Sequence, residues 1–205
     1  MINKLPLCLG TAVLAVSLAG TAHAREGAYL GAQVGWADTG IKITDRQYGN
    51  TFDGLHGEGV NGTLFAGIGR RGANGFLALE INGGMGNAEA ELRGVGTTAY
   101  RIQESYGVGF LAGMNSVGDS ALFVRAGWQR ASFKAEDKGP GYSWNEERDH
   151  DGLRAGVGVL LPISHNVDFR AEWNKTFYGK KDYDHGAISI KPTETQFALG
   201  VSYRF

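Results

Sequence analysis

The chain has 205 residues, 33 of them glycine and four proline, with 20 basic and 21 acidic residues and a formal net charge of −1. A balance this close to neutral implies no nucleic-acid partner. The absence of a Gly-X-Y period excludes collagen, an aromatic content of 11% argues against a disordered chain, and a single cysteine excludes a disulfide framework.

The first segment reads as a secretory leader. Lys4 supplies a positive start, an apolar stretch runs from Leu5 to Leu18, and Thr21-Ala22-His23-Ala24 places small residues where a signal peptidase reads them. Cleavage is expected after Ala24, dividing the chain into a leader, 1–24, and one mature domain, 25–205. The apolar stretch is too short to cross a bilayer as a helix. Cys8 lies near its beginning without small residues before it, so no lipoprotein anchor is expected. The mature chain then carries no thiol, disulfide or cysteine-based metal site.

From Arg25 onward the pattern is alternation with period two. Ala28, Leu30, Ala32, Val34 and Trp36 share one face of a first strand, opposite Tyr29, Gly31, Gln33 and Gly35. A second strand sets Val60, Leu64 and Ile68 against Asn61, Thr63 and Phe65, and a third sets Leu77, Leu79, Ile81 and Met85 against Ala78, Glu80 and Asn82. The fourth, which reads as the longest, sets Tyr106, Val108 and Phe110 against Gly107 and Gly109. Glu104 falls on its apolar face, through either a bulge or a position above the apolar band. The fifth and sixth carry Leu122, Val124 and Trp128 against Phe123 and Arg125, then Leu153, Val157 and Leu161 against Arg154 and Gly156. The seventh carries Phe169, Ala171 and Trp173 against Arg170 and Glu172. The last is Phe197-Ala198-Leu199-Gly200-Val201-Ser202-Tyr203-Arg204-Phe205.

Long polar stretches (about 38–57, 87–98, 134–151 and 179–192) alternate with short turns. An all-β, eight-stranded antiparallel up-and-down transmembrane barrel explains that asymmetry, because such barrels have short periplasmic turns and long extracellular loops. A soluble cup would point its apolar face inward and a charged face to water. Here the non-apolar face is mostly glycine, alanine, serine and asparagine, a poor solvated exterior but a fit to a narrow lumen. The isolated charges on it need partners once buried. A lumen network is therefore expected in which Glu80 and Glu172 face Arg125, Arg154 and Arg170; rim positions in contact with water are the alternative. Trp36, Trp128, Trp173, Tyr203 and Phe205 fall toward strand ends, as a boundary girdle requires.

The last strand resembles the C-terminal assembly signal of bacterial outer-membrane proteins, a terminal Phe with an aromatic two residues earlier, carried here by Phe205 and Tyr203, with Gly200 where that family usually has glycine. Arg170-Ala171-Glu172-Trp173-Asn174-Lys175-Thr176-Phe177-Tyr178-Gly179 resembles the penultimate strand of the small eight-stranded outer-membrane barrels, the OmpA transmembrane domain and the opacity-type porin-like surface proteins. The resemblance implies location in the bacterial cell outer membrane, contact with outer-membrane lipid and lipopolysaccharide, and delivery by the barrel-assembly machinery. The peptidoglycan-binding domain of full-length OmpA is not found after the barrel, so no anchoring through it is expected.

Some outer-membrane barrels are enzymes. The candidate groups here are Asp149-His150-Asp151 and Asp182, Asp184 and His185. Omptin-type proteases use Asp and His at the mouth of larger barrels, and the His-x-Ser spacing of PagL-type deacylases is missing after His165 and His185. No catalytic residues, cofactor or metal site are therefore expected, and conductance through so small a lumen should be slight. The function that remains is structural or surface interaction, through adhesion or envelope integrity, with four exposed loops available to a host or cell-surface ligand.

Overall fold

The computed structural model describes residues 25–45, 49–87, 89–93, 97–116, 120–139, 142–183 and 188–205. The expected leader, Cys8, Asp184 and His185 lie outside the described residues. Ten strand segments form one antiparallel sheet: β1 (Arg25–Asp45), β2 (Thr51–Arg71), β3 (Gly75–Gly86), β4 (Glu89–Arg93), β5 (Thr97–Asn115), β6 (Ala121–Gly139), β7 (Tyr142–Pro162), β8 (Val167–Tyr178), β9 (Lys181–Tyr183) and β10 (Ile188–Arg204). β3 with β4, and β8 with β9, each make one interrupted stave, and β1 pairs with both β2 and β10. The result is a closed eight-stranded barrel.

Register fixes its shape. Neighbours followed from Trp36 through Phe197, Trp173, Val157, Val124, Ala112, Leu77 and Arg70 return to β1 at Glu26, ten residues lower. Eight strands with that displacement tilt by about 40° to the barrel axis and leave a lumen that side chains can fill.

The two faces divide as the alternation requires. Leu64 (66% exposed), Ile81 (62%) and Leu153 (70%) point outward, whereas Glu80 (1%), Arg170 (2%) and Glu172 (1%) point inward. An apolar exterior of this kind is stable against acyl chains and unstable against water. Trp36, Tyr106, Trp128 and Trp173 edge the outward band at the end away from both termini. The next outward residues are Asp38, Glu104, Arg130 and Lys175. The Arg130 guanidinium lies 5.5 Å from the Trp128 ring centroid, and Lys175 Nζ lies 5.5 Å from that of Phe177. Tyr203 and Phe205 edge the opposite boundary, their rings edge-on at 5.2 Å.

Two expectations need correction. The long polar stretches are mostly paired strand: β1 and β2 stay paired out to Thr44 and Thr51 through one bulge between Ile41 and Lys42, and β6 and β7 stay in register out to Gly139 and Tyr142. Cross-strand hydrogen bonding continues past the apolar band, and Thr39 and Ile41 still point inward there. The fourth stave is also not the longest, since β5 has 19 residues while β1, β2 and β7 each have 21. Both explanations for Glu104 hold: β5 bulges between Ile102 and Ser105, and Glu104 sits exposed above Tyr106.

Pairing thins at two places in the tall rim. Among the described residues β4 meets β2 at one pair, Glu58 with Glu89, and β9 pairs with β10 alone. Each gap is pinned at its base. Asn87 N donates to Val60 O (3.1 Å) while Val60 N donates to Asn87 Oδ1 (2.9 Å). Across the barrel, Gly179 N donates to Asp151 O (2.7 Å).

Candidate functional site

The lumen is filled in tiers, in an order that can be read along β6 and β8. From the short-turn end, β6 turns Phe123, Arg125, Gln129, Ala131 and Phe133 inward, and β8 turns Asp168, Arg170, Glu172, Asn174, Thr176 and Tyr178 inward. The lowest tier is apolar: Ala78, Leu111 and Phe123 pack with Tyr29, Phe76 and Leu160.

Above it four charges close a ring. Arg170 Nη1 is 2.7 Å from Glu80 Oε2, Arg125 Nε is 2.7 Å from Glu172 Oε1, and Arg125 with Glu80 and Arg170 with Glu172 complete the circuit. Arg170 Nε also donates to Glu172 Oε2 (2.9 Å), and the Tyr29 hydroxyl donates to Glu80 Oε2 (2.9 Å). Two guanidiniums against two carboxylates leave no net charge, and planar forks suit shared carboxylates. The Arg170 guanidinium also lies over the rings of Phe65 and Phe123, at 4.7 Å and 5.0 Å from their centroids.

Arg154 stands apart from this ring. It is buried one tier higher, where its Nε donates to Thr176 Oγ1 (3.1 Å). Its neighbours on that tier are carboxamides: Gln196 Nε2 donates to Asn61 Oδ1 (2.7 Å), and Gln129 and Asn174 are buried alongside. Gly156 makes this tier possible, because a Cβ there would collide with the Asn174 amide and with Trp173 O.

The top tier is apolar again. Ile102, Ala131, Phe133 and Tyr178 form a buried cluster, and the Tyr178 hydroxyl donates to Glu194 Oε2 (2.9 Å). His150 is fully buried with its ring edge-on to Phe133 at 5.0 Å, and its Nδ1 donates to Gly179 O (2.9 Å). Burial holds this imidazole below its ordinary pKa, an effect only partly offset by the Gly179 carbonyl.

Among the described residues, the loop groups singled out as possible catalysts do not converge. Alternation on β7 turns His150 into the lumen and leaves Asp149 and Asp151 outside it. Asp151 is taken up by Arg130 (Nε to Oδ1, 2.7 Å), which holds its carboxyl below the usual range. Asp182 Oδ1 accepts from Ser189 Oγ (2.9 Å). Among the described residues no three His, Cys, Asp or Glu side chains are grouped to hold a metal ion.

The C-terminal residues occupy a seam of the barrel. Gly200 faces the lumen opposite Gln33 on β1 and Arg170 on β8, and a Cβ there would lie 2.6 Å from Gln33 Cβ. Tyr203 and Phe205 point outward, and Phe205 N donates to Ala28 O (3.0 Å). Sequence reasoning missed Tyr29, Phe65 and Phe123 as partners of the ring. Their signal was an aromatic on the small-residue face of a strand.

No curated protein matches the chain in sequence. Among solved structures, the outer membrane protein AlkL in lipid bilayers is similar at a TM-score of 0.53 and 15% identity, over 92% of this chain and 94% of that one. Neisserial surface protein A aligns at 0.47 and 15%, over 85% and 97%, and Ail of Yersinia pestis at 0.44 and 15%, over 88% and 99%. The family described as "Outer membrane protein beta-barrel domain" matches residues 7–205. With that match over an apolar-out, polar-in closed barrel, the chain belongs to the outer membrane protein β-barrel family.

Proposed function

We propose that this protein is a surface-interaction protein whose barrel fixes a tall, paired rim outside the outer membrane. The observation that carries the reading is the contrast between lumen and rim. The lumen is occupied by an apolar tier, an ion-paired ring, a carboxamide tier and a second apolar tier, which leaves little for diffusion. The hairpins meanwhile continue as ordered strand far beyond the aromatic girdle, as in the β6–β7 ladder out to Gly139 and Tyr142. Ordered, polar, exposed segments on a rigid scaffold suit binding at low entropic cost. Lipopolysaccharide and the surfaces of neighbouring or host cells are the partners such a rim meets. Gly200, Tyr203 and Phe205 serve, in this reading, as the signal that the barrel-assembly machinery takes up before β10 closes against β1.

The test is adherence of a non-adherent bacterial host expressing the protein to an epithelial monolayer, with each hairpin replaced in turn by a short turn. Loss of adherence with one or two hairpins, at unchanged levels of assembled barrel, is expected. Equal adherence of the full protein and a variant with all four hairpins trimmed would refute the proposal.

A further inference from the structure

We propose that the short-turn end of the barrel, which in this family faces the periplasm, is a binding cup for a single-chain aliphatic anion. A cavity of about 250 Å³ opens there. Its walls are Tyr29, Phe76, Ala78, Leu111 and Leu160, and its roof is Arg170 of the ion-paired ring. Arg70, Arg71, His165, Asn166 and Arg204 stand around the mouth.

Three features point to an amphiphilic anion. The walls are apolar although the cup opens to water, and folding does not require this, because the charged and carboxamide tiers already tolerate polar lumen surface. The mouth is basic: among the residues that line it, the three guanidiniums of Arg70, Arg71 and Arg204 stand against the one carboxylate of Asp168. Arg204 Nε is 3.0 Å from Asp168 Oδ2, and Arg71 Nε donates to Asn115 Oδ1 (3.0 Å), so both forks are held by neighbours rather than splayed into solvent. Finally, the cup is a dead end, since the ring of Glu80, Arg125, Arg170 and Glu172 closes it above. The tail lies against Ala78, Leu111 and Leu160, and the acid head meets the arginines of the mouth by charge-assisted hydrogen bonds.

The test uses the full mature chain in phosphatidylcholine nanodiscs, titrated with octanoate and followed by NMR at Ala78, Leu111 and Leu160, with lipid-facing Leu79 as control. Saturable shifts at the three cup residues and none at Leu79 are expected. The Arg71→Gln/Arg204→Gln double variant and, separately, 1-octanol in place of octanoate should each bind about tenfold more weakly. Ala78→Leu, or Leu160→Phe if the first does not assemble, fills the cup and should abolish the shifts. Heat-dependent gel migration reports whether each variant is folded. Unsaturating shifts that include Leu79 would reveal partition into the bilayer and overturn the proposal. Shifts reproduced by inorganic phosphate alone, or undiminished binding by a folded cup-filling variant, would overturn it as well.

Discussion

Replacing Glu80 by leucine tests whether the ion-paired ring behaves as one unit. Glu80 is 1% exposed and accepts from Arg170 Nη1 (2.7 Å), from Arg125 and from the Tyr29 hydroxyl (2.9 Å). Glu80→Leu leaves two buried guanidiniums sharing only Glu172. Breaking one side of a buried ion pair costs about 3–5 kcal/mol, and the lost Tyr29 bond adds about 1 kcal/mol. Glu80→Leu/Arg125→Leu removes one charge of each sign and leaves Arg170 with Glu172, so its loss should be no more than about 2 kcal/mol. Urea unfolding from lipid vesicles, followed by tryptophan fluorescence, measures both, and the double-mutant cycle gives the coupling. A single variant costing under about 1 kcal/mol, or a double variant costing the sum of the two single losses, would refute the idea of a closed neutral ring.

Deleting Phe205 should lower assembled protein far more than synthesis, measured by heat-dependent gel migration against total protein; equal assembly would count against a terminal signal. Leu64→Arg on the lipid face should cost about 2–4 kcal/mol in the same unfolding assay. Gly156→Val should cost about 1–3 kcal/mol, because the added carbons meet Asn174 and the Trp173 carbonyl. His150, whose folded-state pKa is lowered by burial, binds its proton at higher pH in the unfolded chain. Its contribution is therefore complete above about pH 6.5 and is lost as pH falls from there toward the folded-state value. The unfolding midpoint should drop as pH falls below about 6.5, and His150→Leu should flatten that slope.

Alternation made the barrel legible because period two, sustained over segment after segment, assigns every side chain to one of two faces. Trp36 could therefore be placed outward, and Arg170 inward, from the order of neighbours alone. The register could not be read that way. Nothing in the spacing of Glu80, Arg125, Arg170 and Glu172 says that a displacement of ten residues around the circuit brings them level while lifting Arg154 to Thr176. The polar hairpins misled for a different reason. Thr39 and Ile41 face inward above the girdle, but composition there resembles a loop, and only the continuing ladder reveals a strand. His150 shows the same limit: beside two aspartates in sequence it suggests a dyad, yet the pleat sends it and them to opposite sides of the wall.

The two thinly paired places in the rim lie half a circuit apart, between β2 and β4 and between β7 and β9. They divide the part above the membrane into two jaws, one built from β4, β5, β6 and β7 and the other from β9, β10, β1 and β2. Asn87 on one side and Gly179 on the other mark where the two jaws join the hoop below. Parting them would give up one described bridge, Glu58–Glu89, and leave the ladders inside the bilayer whole.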